Sequence, residues 1–223
     1  DEGIISEVNE IASFDEVKTM SKDKAKEEGL FEIIDSALDD KYVKTLKDLS
    51  LNKDSIKEVA ADLDIVYTPL HGTGSVMVQR VLEELGFKNV HVVPEQEEPD
   101  EDFSTVEYPN PEEPDVFELG IELADEKDAE LIMATDPDSD RVGIAVKDDN
   151  DEWTFLDGNQ VGILLTEYIV NSLEEVPENG TVIKTIVTTE MINPIAEKYG
   201  LDVMNTLTGF KYIGEKIKEF KEG

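Results

Sequence analysis

The stretch ELIMATDPDSDR, residues 130–141, decides the fold of this chain. It opens with a short apolar run typical of a buried strand, then carries Asp136, Asp138 and Asp140, followed at once by Arg141. The three aspartates are at positions i, i+2 and i+4, which share one face of an extended backbone and converge when the loop curls slightly. The stretch therefore predicts a strand whose C-terminal end brings three carboxylates together, at the end where α/β sheets bind ligands.

The segments on either side alternate between strand and helix patterns. β-Branched and aromatic runs predict strands, and apolar residues three and four positions apart predict helices. The predicted strands are residues 65–68, 90–93, 130–135, 141–146, 181–187 and 201–204, and the predicted helices are residues 76–85, 115–127, 158–173, about 192–199 and those after 211. This order favours an α/β fold: a three-layer α/β/α domain with a mixed, mainly parallel sheet, and a partial second domain of the same type.

We expect three segments along the chain. Residues 1–38 form the tail of a preceding domain, residues 39–173 the metal-binding α/β domain, and residues 174–223 the N-terminal part of the next α/β domain. Residues 94–114 contain five of the nine prolines, so we expect a long irregular connection that packs on the domain. The chain starts at Asp1 and not at methionine, which we interpret as the sign of a piece trimmed from a longer protein.

The composition excludes several classes of function. The formal net charge of −34, from 54 acids against 20 bases, repels nucleic acid and anionic membranes, so neither is an expected partner. No apolar run approaches the ~20 residues needed to span a bilayer, and no signal-peptide pattern opens the chain. The absence of cysteine excludes disulfides and thiolate metal sites and fits a cytoplasmic protein. We interpret most of the acids as a solvated surface.

Three carboxylates in one loop repel one another, and a hard divalent cation removes the conflict. Ligation by oxygen alone, with room for water or phosphate, favours Mg²⁺. A calcium EF-hand is excluded because its loop requires Gly at the sixth position and Glu at the twelfth, and counting from Asp136 gives Arg141 and Lys147. Arg141 is suited to bidentate contact with a phosphate beside the metal, a pairing that stabilises a transferring phosphoryl group. An acidic turn with Arg141 in a surface ion pair is the structural alternative.

The Asp-x-Asp-x-Asp-Arg pattern resembles the metal loop of the α-D-phosphohexomutases, the phosphoglucomutase and phosphomannomutase superfamily. Pro137 and Ser139 replace the family's usual glycine spacers, while the three aspartates and the arginine are intact. Further motifs similar to the long bacterial phosphoglucomutase branch are TPLHGTG at 68–74, YPNPE at 108–112, DGNQ at 157–160 and TLTGFK at 206–211. The resemblance covers nearly the whole chain and implies the end of domain one, all of domain two and the opening of domain three of a four-domain enzyme.

The resemblance implies an isomerase that interconverts hexose 1-phosphate and hexose 6-phosphate through a phosphoserine and a hexose bisphosphate intermediate. It assigns Asp136, Asp138 and Asp140 to Mg²⁺, with a phosphoserine oxygen from domain one as the fourth ligand, and Arg141 to catalysis. The family's Ser-His-Asn-Pro loop, its sugar-reading Glu and Ser loop and its basic domain-four loop are absent from the sequence. We therefore expect the chain alone to lack mutase activity, to bind Mg²⁺ weakly, and to need the missing parts of domains one, three and four as partners.

Two further loops and one lysine are candidate site residues. Residues 71–74 join a predicted strand to a helix N-terminus, where backbone N–H groups can hold an anion, and a packing role is the alternative. Residues 208–211 precede the last helix, and the resemblance places the corresponding loop near the sugar phosphate. The candidates are His71, Gly72 and Gly74 in the first loop, and Gly209, Lys211 and Lys184 for substrate binding.

Two other functions are alternatives. A haloacid-dehalogenase-like Mg²⁺ phosphatase uses an aspartyl nucleophile in an Asp-x-Asp motif followed by Thr near the first strand, whereas this motif continues Ser139-Asp140-Arg141 after the third predicted strand. A non-catalytic acidic module would hold a cation without binding a phosphosugar. The preference for glucose or mannose is left open, because the discriminating loop is absent from the sequence.

Overall fold

The computed structural model describes residues 2–34 and 36–222, which fall into two compact units, Asp1–Tyr42 and Val43–Gly223. The first unit contains short helices without a buried residue in α1 or α2. Its elements are α1 Glu2–Glu10, a 3-10 turn at Phe14–Glu16, α2 Lys22–Glu27 and the start of α3 Ser36–Asp48, which continues into the second unit. Within the described ranges, every helix is too short or too polar to cross a membrane.

A five-stranded sheet lies at the centre of the second unit. Its strands are β1 Asp64–Thr68, β2 Asn89–Val92, β3 Leu131–Thr135, β4 Val142–Lys147 and β5 Trp153–Leu156. They are ordered β2-β1-β3-β4-β5, with β1 parallel to both neighbours and β4 antiparallel to both of its neighbours. The predicted α/β domain with a mixed sheet is confirmed, and its four pairings divide equally into two parallel and two antiparallel.

Helices pack on both faces of this sheet. α5 Gly74–Leu85, α7 Glu118–Lys127 and α8 Gly158–Asn171 pack on the strands, and the same region also contains α4 Lys53–Val59, α6 Pro94–Glu97 and a 3-10 turn at Pro114–Phe117. Gly86 ends α5 with φ of 106°, a left-handed conformation that glycine adopts without a steric penalty. Asp157 begins α8 with a capping box to Gln160. The buried core joins strand and helix residues, among them Val66, Ile132, Ala134, Ala145, Phe117 and Ala124.

The register of the two central strands places the loops of interest at one edge. β1 and β3 run in parallel with Thr68 opposite Ala134, so the loops that follow them leave the sheet at the same edge. These loops are residues 69–73 and 136–141. The carboxyl edge of parallel strands is where α/β sheets bind ligands, and the predicted strand-end position of the aspartates is therefore confirmed.

A second, smaller sheet follows in the chain. Its two strands, β6 Thr181–Thr185 and β7 Asp202–Thr206, are parallel. The helix α9 Ile192–Tyr199 follows β6, and α10 Phe210–Glu222 follows β7. α9 joins the two strands as the crossover helix and ends at Gly200 in the left-handed region. Lys198 and Tyr199 of α9 both bond to Glu167 of α8, at 2.7 and 2.8 Å. The predicted partial second α/β domain is confirmed.

Some element boundaries differ from the sequence prediction. The short strand β5 was missed, because it has only four residues and directly precedes the start of α8. The strand predicted at 181–187 ends at Thr185. Ile186 and Val187 form a turn and are exposed despite their β-branched side chains, although the backbone N–H of Ile186 still donates to the carbonyl oxygen of Thr206 at 2.9 Å. The connection 94–114 is mostly irregular as predicted, apart from the single turn of α6.

The loop 108–112 packs directly on β4. A Cβ atom at Gly143 would lie 2.1 Å from the carbonyl oxygen of Pro111, so only glycine permits this contact between loop and strand. Gly143 pairs with Ala134 in the strand that precedes the aspartates. The contact therefore fixes the loop against the sheet immediately beside the carboxylates.

We expect Gly143→Ala to lower the free energy of unfolding by about 1–3 kcal/mol, since the added methyl group overpacks the contact with Pro111. Urea unfolding followed by circular dichroism measures the change. Gly162→Ala is the matched control: it lies inside α8 with no atom within 4 Å of the added Cβ, and should gain up to about 1 kcal/mol from helix propensity. Equal stability of the two variants would contradict the packing described here.

Candidate metal and phosphate site

The loop that follows β3, residues 136–141, is called the carboxylate loop below. It begins with a tight turn in which the backbone N–H of Ser139 donates to the carbonyl oxygen of Asp136 at 3.0 Å. Ser139 has φ of 60°, a left-handed conformation that glycine adopts without strain. The turn folds the chain back into the antiparallel strand β4, so the aspartates cannot spread along an extended backbone.

The turn gathers the three aspartates predicted from the sequence. One carboxylate oxygen each from Asp136, Asp138 and Asp140 lies within 4.8 Å of the others. Asp136 is only 5% exposed, while the other two side chains are exposed to solvent. The backbone N–H of Arg141 donates to Asp136 Oδ1 at 2.9 Å, which fixes the innermost carboxylate. The cluster therefore has one buried, oriented oxygen pair and two acids that are open to an approaching ligand.

The proximity of the aspartates has an electrostatic cost. The pKa of Asp138 is raised above its usual range, first by its side-chain hydrogen bond with Asp136, and then by the negative charges of Asp140 and Asp136. A raised pKa in a solvent-exposed carboxyl means that its ionised form is unfavourable in the folded protein. An oxygen-only donor set that is crowded with negative charge fits a hard divalent cation such as Mg²⁺.

Arg141 lies beside the cluster and is held from several sides. Its Nε is 3.6 Å from Asp136 Oδ2 and 3.8 Å from Asp140 Oδ1. Its Nη1 donates to Asn110 Oδ1 at 3.1 Å, and the side chain is 51% exposed. The two ion pairs are long, so the amide of Asn110 makes the closest polar contact with the guanidinium. The remaining guanidinium N–H groups are available to an anion.

Asn110 is a site residue in the motif YPNPE that is not among the candidates predicted from the sequence. It is 8% exposed, and its Oδ1 also accepts from the backbone N–H of Glu112 at 3.3 Å. The flanking Pro109 and Pro111 restrict the backbone, and Pro111 contacts Gly143 as described above. A buried amide in such a rigid loop is suited to orienting Arg141. The signal in the sequence was the motif YPNPE itself, since a polar residue between two prolines has few structural roles.

The loop after β1 supports the carboxylate loop from the other side. The backbone N–H of Thr73 donates to the carbonyl oxygen of Pro137 at 2.9 Å. A Cβ atom on Gly72 would lie 2.5 Å from the Cα of Pro137, and one on Gly74 would lie 2.6 Å from Ser139 Oγ. Anion binding and packing were the two roles left open for Gly72 and Gly74. The contacts of both glycines are packing contacts, because the missing side chains allow the loop to approach the carboxylate loop closely.

His71 is turned away from the carboxylates. Its Nδ1 is 2.9 Å from the carbonyl oxygen of Glu98, its Nε2 is 2.8 Å from Thr105 Oγ1, and the residue is buried. Because the carbonyl can only accept, Nδ1 carries the proton and Nε2 accepts from the threonine hydroxyl. Both ring nitrogens therefore bond to the irregular connection 94–114. A role of His71 in the site remains a prediction.

The three substrate-binding candidates lie around β6 and β7. Lys184 is buried on β6, where its Nζ donates to Glu190 Oε1 and to the carbonyl oxygen of Thr188, both at 3.0 Å. Gly209 has φ of 128°, and Lys211 Nζ lies 4.9 Å from the ring centre of Tyr212. Within the described residues no hydrogen bond or ion pair joins these three residues to the carboxylate loop. Their role in substrate binding remains a prediction.

A further contact, at the N-terminus of α8, links the segment after β6 to the domain that holds the carboxylate loop. Asn159, in the first turn of α8, accepts from the backbone N–H of Thr189 at 2.9 Å. In the same turn, a Cβ atom on Gly158 would lie 3.2 Å from Glu112 Oε1. The N-terminus of α8 therefore contacts both the loop of Asn110 and the loop that follows β6.

We expect Asn110→Ala to loosen the guanidinium of Arg141, because only the two long ion pairs would then hold it. The chain has two arginines, Arg80 and Arg141, so the arginine Nε–Hε signals are readily resolved by NMR. The {¹H}–¹⁵N heteronuclear NOE of Arg141 should fall, while that of Arg80, paired with Glu84 at 3.1 Å, should not change.

Two further variants complete this test. Asn110→Asp keeps an acceptor oxygen and should restore the heteronuclear NOE of Arg141. Asn150→Ala removes an asparagine that bonds only within the turn of Asp148 and should change nothing at Arg141. A rigid Arg141 in Asn110→Ala would show that the aspartates alone orient the guanidinium.

Comparison with known proteins places this geometry in a family. Residues 40–150 match the family model of phosphoglucomutase/phosphomannomutase α/β/α domain II, and residues 157–222 match the model of domain III. A Staphylococcus haemolyticus phosphoglucomutase is 40% identical over 162 residues, 73% of this chain and 29% of that protein. A Haemophilus influenzae protein named "Probable phosphomannomutase" is 42% identical over 159 residues, 71% of this chain and 32% of that protein.

A solved structure shares the fold. The crystal structure of a phosphoglucomutase/phosphomannomutase family protein from Burkholderia thailandensis aligns with a TM-score of 0.61 at 18% identity, over 88% of this chain and 40% of that one. This chain spans about a third of the length of the curated relatives it matches. Both family models and the relatives at 40–42% identity name the same family: the chain belongs to the phosphoglucomutase/phosphomannomutase family.

Proposed function

We propose that this chain is the central, Mg²⁺-binding part of a phosphohexomutase that interconverts hexose 1-phosphate and hexose 6-phosphate through a phosphoserine. The observation that carries the proposal is the convergence of Asp136, Asp138 and Asp140 within 4.8 Å at the end of β3, with Arg141 fixed beside them. A divalent cation and a guanidinium side by side form the electrostatic arrangement that stabilises a transferring phosphoryl group.

Each residue of the carboxylate loop has a distinct role in this proposal. Asp136, Asp138 and Asp140 hold the metal, and the hydrogen bond from the Arg141 backbone keeps Asp136 oriented. When bound, Mg²⁺ neutralises charge on the phosphoryl oxygens and so lowers the barrier to transfer. The guanidinium of Arg141, oriented by Asn110, contacts the phosphoryl group with its free N–H groups.

The remaining parts of the proposed reaction come from outside the sequence described here. The serine that carries the phosphoryl group and the loops that read the sugar are not among the 223 residues, and the relatives are about three times longer. Lys184, Gly209 and Lys211 are the proposed substrate contacts on the domain III side. The relatives are named both phosphoglucomutase and phosphomannomutase, so the proposed substrates are glucose or mannose phosphates, with the hexose bisphosphate as intermediate.

The two alternative functions receive no comparable support. An aspartyl-nucleophile phosphatase requires a free attacking carboxylate, whereas Asp136 is buried and bonded to the backbone of Arg141. A purely cation-holding module leaves the fixed guanidinium of Arg141 without a role.

We expect Asp138→Asn to have opposite effects on metal binding and on stability. Removing one of three charged ligands should weaken Mg²⁺ binding by about tenfold or more, as measured by calorimetry. The raised pKa of Asp138 means that its ionised form destabilises the metal-free fold, and this penalty grows as pH rises through the unfolded and then the folded pKa. In EDTA at pH 7 the variant should therefore melt at a higher temperature than the wild type.

Asp149→Asn is the matched control for this substitution. It changes the net charge by the same amount in an exposed turn between β4 and β5, away from the three carboxylates. It should leave both the Mg²⁺ affinity and the melting temperature in EDTA close to those of the wild type. Equal Mg²⁺ affinity in the Asp138 and Asp149 variants would contradict the proposed site.

The purified chain should not convert glucose 1-phosphate to glucose 6-phosphate, because it lacks the serine loop that carries the phosphoryl group. A coupled assay with glucose 6-phosphate dehydrogenase, with catalytic glucose 1,6-bisphosphate added, measures this. The Asp138→Asn variant gives the background rate. Turnover by the wild-type chain well above that background would show that the residues present here suffice for the reaction.

A further inference from the structure

A cavity in the second unit is lined by residues of α3, α4 and the end of α5. It has a volume of about 440 Å³, and four lysines line it, Lys44, Lys47, Lys53 and Lys57. We call it the lysine groove. Its volume is in the range of about 300–1,000 Å³ that is typical of small-molecule sites. It shares no residue with the carboxylate loop.

The lysines of the groove lie on one face of α3 and on one face of α4. In α3, Lys44 and Lys47 are three residues apart and therefore share one helix face. In α4, Lys53, Ile56 and Lys57 are at positions i, i+3 and i+4, which again share one face. Both faces line the same cavity, so lysines from two helices border it.

The lysine groove is locally positive in a strongly acidic chain. Its four lysines outnumber three acids, Asp48 and Glu84 in the lining and Asp54 beside Lys57, which leaves an excess of one positive charge, whereas the whole chain carries −34. Lys47 is paired with Glu84 at 3.1 Å, and Lys57 with Asp54 at 2.8 Å.

Lys44 and Lys53 are left without a partner. Over the described parts of the chain, neither has an ion pair or a side-chain hydrogen bond. Ammonium groups that border one cavity without counter-charges favour an anion there. These two lysines are therefore the natural anchors for an anionic ligand.

The properties of the surroundings select the kind of anion. The net charge of −34 repels nucleic acid and acidic proteins, whose many charges feel the field of the whole chain. A small anion inside the groove is within a few ångströms of the lysines. Salt screens the charges of acids more than about 8–10 Å away, so the nearby lysines dominate the electrostatic potential that the anion experiences. Ile56 and Leu85 add apolar surface to the lining, which can pack against the body of a small ligand.

We propose that the lysine groove binds a small anion with several phosphate groups, such as a polyphosphorylated metabolite, anchored by Lys44 and Lys53. The ligand needs several negative charges because Lys44 and Lys53 belong to different helices. A chain of phosphates can pair with both lysines at once, whereas a single phosphate pairs with them less well. The site is independent of the proposed mutase chemistry and requires no metal.

Calorimetry with inorganic tripolyphosphate as the probe, in EDTA and at low ionic strength, tests this proposal. EDTA removes Mg²⁺, so the carboxylate loop repels the probe and does not contribute. The wild-type chain should show saturable binding that weakens as salt is added. Lys44→Gln/Lys53→Gln should weaken binding by at least about tenfold, because two charged contacts are lost.

Lys216→Gln/Lys218→Gln is the control, since it removes the same two charges from α10, where both lysines have acidic partners on their own helix. It should retain the affinity of the wild type. Equal loss of binding in both double variants would overturn the proposal, because it would show a general charge effect. Absence of saturable binding to the wild type would also overturn it.

Two competing probes identify the class of occupant. Inorganic monophosphate should bind at least about tenfold more weakly than tripolyphosphate, since it engages fewer charged contacts. A poly-glutamate peptide should bind more weakly still, because the acidic chain repels it. Tighter binding of the peptide than of tripolyphosphate would replace the proposed ligand with an acidic protein segment and overturn the proposal.

Discussion

Three carboxylate oxygens within 4.8 Å of one another repel, and the rest of the fold holds them in place against that repulsion. The restraint comes from opposite sides. The backbone of Arg141 fixes Asp136, the only buried member of the cluster. Gly72 and Gly74, from the loop after β1, press against the turn that joins the aspartates. A site that is unfavourable when empty of metal gains most from binding one, because the cation converts the repulsion into attraction. The strain at Ser139, held at φ of 60°, is part of the same arrangement.

The sheet explains why these parts meet. Because β1 and β3 are parallel neighbours, their following loops share one edge, and the antiparallel return through β4 brings Arg141 back beside Asp136. The loop of Asn110 reaches the same edge by packing on Gly143. The guanidinium is thus fixed by a loop that is distant in sequence, while the carboxylates are fixed locally. This division lets Arg141 stay oriented when the charges of Asp136 and Asp140 are engaged by a cation.

Much of this could be predicted from the sequence where the determinants are local. The spacing of Asp136, Asp138 and Asp140 after an apolar run indicated both the strand and the convergence. The roles of Asn110 and the two glycines depend on contacts between loops far apart in the chain, so a local motif such as YPNPE can mark the residue but not its partner. β5 was missed because four residues leave little periodicity, and β6 was predicted too long because Ile186 and Val187 have strand-forming side chains in an exposed turn. The orientation of Lys184 toward Glu190 is likewise a tertiary property.

The central claim is that the carboxylate loop binds a divalent cation through all three aspartates at once. The most direct measurement is a crystal structure of the chain grown with Mn²⁺ in place of Mg²⁺, with anomalous scattering data collected near the manganese absorption edge. The account predicts a single strong anomalous peak bonded to one oxygen each of Asp136, Asp138 and Asp140, with the Arg141 guanidinium beside it. A peak elsewhere, or aspartates that point apart into solvent with no peak between them, would contradict the account.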